Sequence, residues 1–282
     1  MQKFLAVLIS VLPHHFISRG LFFLSRYKSP RLQQFLIRFY NRAFKIDLSD
    51  AVLQTPEEFK TLNQFFTREL NPQARLVDAE KNSFVSPVDG RVSQCGKIDQ
   101  QSILQAKGRN YSVAALLGDS HDPKFDDGAF TTLYLSPRDY HRIHMPIDGN
   151  LEKMTYIPGR LFSVAPFCVN NIDAVFARNE RVVCVFSTAI GKVAMVLVGA
   201  INVAAIETVW AGLITPKKGL RKFTTEYQDE ISLLKGQEMG RFNMGSTVIV
   251  ITENDKINWQ TQSSEPGSCV RMGQKIATQN DL

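Results

Sequence analysis

Two stretches constrain the fold more than any others: MVLVGAINVAAIETVW at 195–210 and STVIVIT at 246–252. Both are dense in apolar and β-branched residues and lack the polar alternation of a half-exposed sheet. They predict central strands covered on both faces, the first as a strand pair. From about residue 83 onward the texture stays that of strands and turns. FVSPVDGRVSQCGKI reads as two strands around a Pro-Val-Asp-Gly turn, and AFTTLYL as an alternating strand. A short helix near NYSVAALLG ends at Gly118. Helical signals gather earlier. TPEEFKTLNQFFTREL predicts one helix, with Thr55 as N-cap, Pro56 at its first position and Glu58 completing a capping box. Its buried face is Phe59, Leu62, Phe65 and Phe66. The expected class is α+β: a β-rich core with N-terminal amphipathic helices.

The chain has 282 residues and is 44% hydrophobic, enough for one large domain with or without an appendage. Its cysteines, Cys95, Cys168, Cys184 and Cys269, form no Cys-x-x-Cys motif and no disulfide framework. They read as reduced core residues of a cytosol-facing protein.

Charge is unevenly spread. Residues 1–46 contain eight Lys or Arg and no Asp or Glu, whereas the whole chain carries only +6. The basic character therefore belongs to the N-terminus and calls for an anionic partner. The apolar runs there are too short to span a bilayer, broken by His14, His15 and Arg19. No small-residue cleavage site follows them, which argues against a removed leader. Two or three short helices, punctuated by Pro13, Gly20 and Pro30, fit better. In the last of them Leu32, Phe35, Leu36, Phe39, Tyr40 and Ala43 form one apolar face, with Gln33, Gln34, Arg38, Asn41 and Arg42 elsewhere. Aromatic residues on one side and cations on the other suit a helix lying in lipid headgroups. The competing reading is a basic hairpin packed on its own domain. Nucleic acid would leave the Phe and Leu residues without a role.

The candidate chemistry starts from LSPRDYHRIHMP, which holds Asp139, His141 and His144. A His-x-x-His pair binds zinc on one helix face, but Pro137 and Pro146 crowd a helix here, and no third ligand follows beyond Asp139. No metal is expected. A serine hydroxyl needs a base, and the base an orienting carboxylate. Ser246, His144 and Asp89 are the candidate trio. Gly-x-Ser-x-Gly is absent, so a lipase-type elbow is unsupported. Gly245-Ser246 can be a plain turn. It can also be a bond that cuts itself: the Ser246 hydroxyl adds to the unhindered Gly245 carbonyl, the resulting ester eliminates, and the dehydroalanine left behind takes up water and loses ammonia to become a pyruvoyl group.

Taken together, FFTREL, SPVDGRV, DYHRIHMP, PGRLFSV, NERVV, VGAINVAAIETVW, KGQEMGRFNMGSTVI and the basic start resemble the phosphatidylserine decarboxylase family in its bacterial, membrane-associated form. They run in order along nearly the whole chain. Met244 stands where the family more often has Leu, a swap of similar volume. The resemblance implies self-cleavage at Gly245-Ser246 into residues 1–245 and 246–282, which remain together as a heterodimer and leave further dimerisation open. It implies a basic membrane-associating segment at 1–46 and a catalytic domain at 47–282. It makes Ser246 the covalent pyruvoyl cofactor and Schiff-base site, with Asp89 orienting His144 as its base. His141 becomes proton donor and substrate contact, with Asp139 positioning the histidines. The implied substrate is phosphatidylserine, converted to phosphatidylethanolamine and CO2 at the cytoplasmic face of the inner membrane. Two alternatives remain at this stage: a membrane-associated Ser/His/Asp hydrolase that never cuts itself, and a membrane-docked β-rich binding module.

Overall fold

The run at 246–252 is a strand, Ser246–Thr252, buried at every position. In the computed structural model, which describes residues 12–201, 205–216, 219, 221–228, 231–243, 246–253 and 257–279 with Lys3, Ala6 and Ile9, it lies inside a nine-stranded sheet. It runs antiparallel to Gly191–Val198 on one side and to Ala129–Leu135 on the other. Beyond Gly191–Val198 come Arg181–Thr188 and Gly149–Ile157, and against the latter both Phe223–Glu226 and Ser232–Leu233; beyond Ala129–Leu135 come Gly90–Lys97 and Cys269–Val270. The α+β class holds, with a β-rich body and helices at the N-terminus.

Two strand expectations need correction. AFTTLYL does not alternate in exposure: every residue but Tyr134 is buried, because core covers both of its faces. Nor does 195–210 form a strand pair within one sheet. Gly191–Val198 is central in the large sheet, while Ile206–Thr208 lies in a second sheet ordered Gly212–Leu213, Ile206–Thr208, Glu238–Phe242, Arg142–His144. In SPVDGRV the glycine opens the strand Gly90–Lys97, and a Cβ there would lie 2.6 Å from the Tyr134 carbonyl oxygen. Close strand approach, rather than left-handed backbone, demands glycine.

The helix Val113–Leu117 forms where NYSVAALLG predicts it, capped by Ser112 and stopped at Gly118 with φ 55°. The segment 55–70 instead divides into a 3-10 turn, Pro56–Glu58, and a helix, Leu62–Phe66. The Glu58 carboxylate accepts from Thr55 as expected. Thr61, however, supplies a second cap by accepting from Gln64 N, and Gln64 Oε1 takes Lys60 N. The break lets Phe59, Leu62 and Phe65 pack with Ile37, Ile46 and Leu48 in a small core of their own.

Among the described residues the basic segment forms two helices, α1 (His14–Leu24) and α2 (Pro30–Phe44). Gly20 lies inside α1 rather than between helices. In α2 the face that packs inward is Gln33 and Ile37, while Phe35 and Phe39 point to solvent. Gln33 can be buried because its amide donates to the Leu24 and Tyr27 carbonyls and its oxygen accepts Leu62 N. Among the described residues no helix is long and apolar enough to cross a membrane. All four cysteines are free, but Cys269 is exposed and Cys95 only partly covered, so just Cys168 and Cys184 are core residues.

Candidate active site

Ser246 is the first residue of the central strand and pairs with Leu135, the last residue of its neighbour. The loop from Ser136 to His141 therefore leaves the sheet at the serine's own end. Ser246 is fully buried, and its Oγ has no hydrogen-bond partner among the described residues. It lines a cavity of about 200 Å³ shared with Tyr40, Phe44, Tyr134, Pro137 and Ala200. Gly245 and Met244 lie outside the described residues.

The histidines approach from the second sheet. His144 pairs with Glu238, and Phe242 N donates to the His141 carbonyl at 3.0 Å. The strand Glu238–Phe242 leads on toward Ser246, so one continuous piece of chain joins the histidine strand to the serine strand.

His141 donates through Nδ1 to the Asp139 carbonyl at 2.7 Å. That bond fixes the proton on Nδ1 and leaves a lone pair on Nε2, which has no partner among the described residues. The ring lies against Phe66, centroids 4.0 Å apart. Complete burial, and after it the Arg68 charge, push the His141 pKa down to about 3. His144 is differently placed. Its Nδ1 donates to the Gly236 carbonyl at 2.8 Å, and its Nε2 accepts from Tyr140 Oη at 3.0 Å. Burial lowers its pKa as well, opposed by the Gly236 carbonyl and by the charges of Glu238 and Asp89.

The expected carboxylate contact takes another form. Arg75 Nε donates to both Asp89 oxygens, at 2.9 and 3.0 Å, and Met272 N donates to Oδ1 at 2.8 Å. Among the described residues no hydrogen bond joins Asp89 to His144, or Ser246 to either histidine. Asp89 is nonetheless near: the Pro87 carbonyl accepts His144 N at 2.9 Å, and its charge acts on the imidazole. Asp139 accepts from Ser136 N and Oγ, both at 2.7 Å, which shapes the loop that holds His141. Burial raises the Asp139 pKa, with the Ser136 bonds opposing.

This arrangement brings a buried hydroxyl, two neutral imidazoles and a caged carboxylate to one end of the sheet. The family model of phosphatidylserine decarboxylase matches residues 62–278, most of the chain. The chain belongs to the phosphatidylserine decarboxylase family. It is 47% identical to the phosphatidylserine decarboxylase proenzyme of Shewanella woodyi, with 100% of both chains covered. It is 48% identical to that of Shewanella loihica, over 98% of this chain and 99% of the relative. A third proenzyme, from Shewanella frigidimarina, is 47% identical over 95% of each chain. Four residues beside the candidate site escaped sequence reasoning: Arg75, Tyr140, Phe66 and Arg68. The last two stand in FFTREL, so the motif signalled the segment without revealing a role.

Proposed function

We propose that this chain decarboxylates phosphatidylserine to phosphatidylethanolamine after cutting itself between Gly245 and Ser246. One observation carries the reading. The Ser246 hydroxyl is wholly buried and unpartnered at a cavity wall, in a chain whose full-length relatives are named proenzymes. A buried polar atom left unsatisfied calls for an explanation, and conversion of this residue supplies one. The residues present fit a pyruvoyl group made from Ser246, since the cavity is largely apolar and needs no separate binding site for the group. Its ketone would supply an electron sink for the carbon that loses CO2.

The protein's own residues divide the remaining work. His144 takes the Ser246 hydroxyl proton, and the nearby Asp89 charge favours the imidazolium that results. In the ground state Tyr140 occupies His144 Nε2, so this hydrogen bond must open first. His141 moves a proton at Nε2 during turnover; its weak hold on that proton makes it a strong donor once loaded. Asp139 holds the loop that positions it. A second reading gives self-cleavage to His141, favoured by its free and buried Nε2. Substitution separates the two. Uncut His144→Ala with cut His141→Ala supports the first, and the reverse supports the second.

Residues 1–46 would dock the enzyme peripherally on an anionic membrane, at the cytoplasmic face, with 47–282 as catalytic body. The two products of cleavage stay associated through the shared central sheet, in which Ser246–Thr252 lies between strands of the larger fragment. A denaturing gel tests the whole reading. Purified active protein should release a fragment of about 4 kDa, in proportion to 31.8 kDa for 282 residues. Mass spectrometry should find no serine amine at its N-terminus. A single intact chain in active enzyme would overturn the proposal, as would cleavage in Ser246→Ala.

A further inference from the structure

Arg68 is 5% exposed, yet its Nε and Nη1 have no hydrogen-bond partner among the described residues. Its Nη2 alone is engaged, donating to the Arg138 and Asp139 carbonyls at 2.8 and 3.3 Å. A buried guanidinium with two idle nitrogens is costly unless an anion completes it. Arg68 lines a cavity of about 350 Å³, within the range of small-ligand sites.

The lining is rich in cations. Lys45, Arg91, Arg138 and Arg271 surround the cavity with Arg68. Four carboxylates also border it, but each has a prior partner. Asp50 and Asp89 are held by Arg75, Asp139 by Ser136, and Asp47 by Ser49 N. Asp89 and Asp139 favour the Arg68 charge through space without filling its hydrogen bonds.

Position relates this cavity to the serine. The segment 137–140 borders both: Pro137 lines the Ser246 cavity, and Arg138, Asp139 and Tyr140 line the basic one. Helix α2 and its C-cap reach both as well, with Tyr40 and Phe44 at the first and the capping Lys45 at the second. The same helix carries the exposed Phe35 and Phe39. An apolar outer face, a basic cavity and the buried serine thus adjoin one helix and one loop.

We propose that the Arg68 cavity binds the phosphodiester of a phospholipid headgroup and so presents the headgroup to the Ser246 cavity. The assignment rests on the decarboxylase reading for the identity of the lipid, but the anion site stands on Arg68 itself. Guanidinium nitrogens pair with phosphate oxygens through charge-assisted bonds.

Titration of the full-length protein with inorganic phosphate, followed by calorimetry, tests the site without turnover. Binding should be saturable and weakened roughly tenfold or more in Arg68→Gln, by the usual worth of a charged hydrogen bond. Arg68→Lys should recover part of it. Arg138→Gln and Arg271→Gln alter exposed rim residues, keep the fold, and should each weaken binding severalfold. Glycerophosphoethanolamine, which has no carboxylate to lose, should displace the phosphate. On phosphatidylserine vesicles Arg138→Gln should raise KM while kcat and self-cleavage stay unchanged. No phosphate binding by the wild type, or equal binding by Arg68→Gln and both rim variants, overturns the site. Phosphate binding that glycerophosphoethanolamine cannot displace overturns the headgroup assignment in favour of free phosphate. Failure of the decarboxylase reading would appear in cleavage and turnover and leave the phosphate titration unaltered.

Discussion

Arg75 holds Asp89 through two of its nitrogens, Nε bonding both carboxylate oxygens and Nη2 bonding Oδ2, while Nη1 reaches across to Asp50 at 2.7 Å. Asp89 in turn accepts the backbone of Met272. The cluster therefore ties 50, 75 and 89, on one side of the proposed cut, to 272 on the other. Arg75 and Asp89 are 10% and 12% exposed in their side chains. Removing one partner of such a pair strands the other, at a cost of roughly 3 kcal/mol. Arg75→Ala should lower the denaturant midpoint accordingly. Arg38→Ala breaks an ion pair with Glu57 that is 65% and 56% exposed, and should leave the midpoint within scatter. Equal effects of the two substitutions would refute the structural role given to Arg75.

Tyr140 poses a different question, because its hydroxyl occupies the nitrogen with which His144 would act as the proposed base. Opening a hydrogen bond of this kind costs about 1 kcal/mol, equivalent to about fivefold in rate. Tyr140→Phe should therefore speed self-cleavage about fivefold, read as the time course of fragment release after synthesis. Slower release would mean that the tyrosine orients the imidazole rather than blocking it. An unchanged rate would favour His141 as the base.

Acid should destabilise the fold through its buried histidines. The His141 pKa is near 6.5 in an unfolded chain and about 3 in the native one. The unfolded state thus binds more protons between those values, and stability falls as pH drops through that window. His144 and His14 shift in the same direction, both through burial. Urea midpoints at pH 7, 5.5 and 4.5 should decline stepwise. His141→Gln should flatten that decline while starting from a lower midpoint at pH 7; a slope as steep as the wild type would remove His141 as its source.

What could be read from residues alone follows a physical line. Strand Ser246–Thr252 was legible because a segment covered on both faces must be apolar throughout, and composition records that directly. The Val113–Leu117 helix was legible because its cap and its stop are both local. The helix at 55–70 was misjudged because Thr55 and Thr61 are two competing caps, and the choice between them rests on Ile37 and Gln33 across a helix pair. The inward face of α2 was hidden for a related reason: Gln33 looks like a solvent residue until three backbone partners from other segments surround it. SPVDGRV singles out Asp89 as a candidate but says nothing of its grip by Arg75, fourteen positions back. Arg68 stands in FFTREL, and only the fold reveals that two of its nitrogens are buried without partners among the described residues.

The outer aromatic face makes the last prediction. Phe16, Phe23, Phe35 and Phe39 are 79%, 70%, 66% and 64% exposed, and Arg38 and Arg42 are exposed beside the last two. Large exposed apolar groups framed by cations are expected where a helix lies at a lipid surface. Insertion of a phenylalanine removes apolar area worth up to about 1.5–3 kcal/mol. Phe35→Ser with Phe39→Ser should therefore weaken binding to anionic vesicles at least roughly tenfold. Because neither ring is part of the core, the denaturant midpoint should hold. Arg38→Gln with Arg42→Gln should reduce binding less and remove much of its salt sensitivity, since screening acts on the charges and not on the rings. In a soluble short-chain substrate both double variants should turn over as the wild type does, which confines the loss to docking. Undiminished vesicle binding by the phenylalanine variant would place the membrane contact elsewhere on the protein.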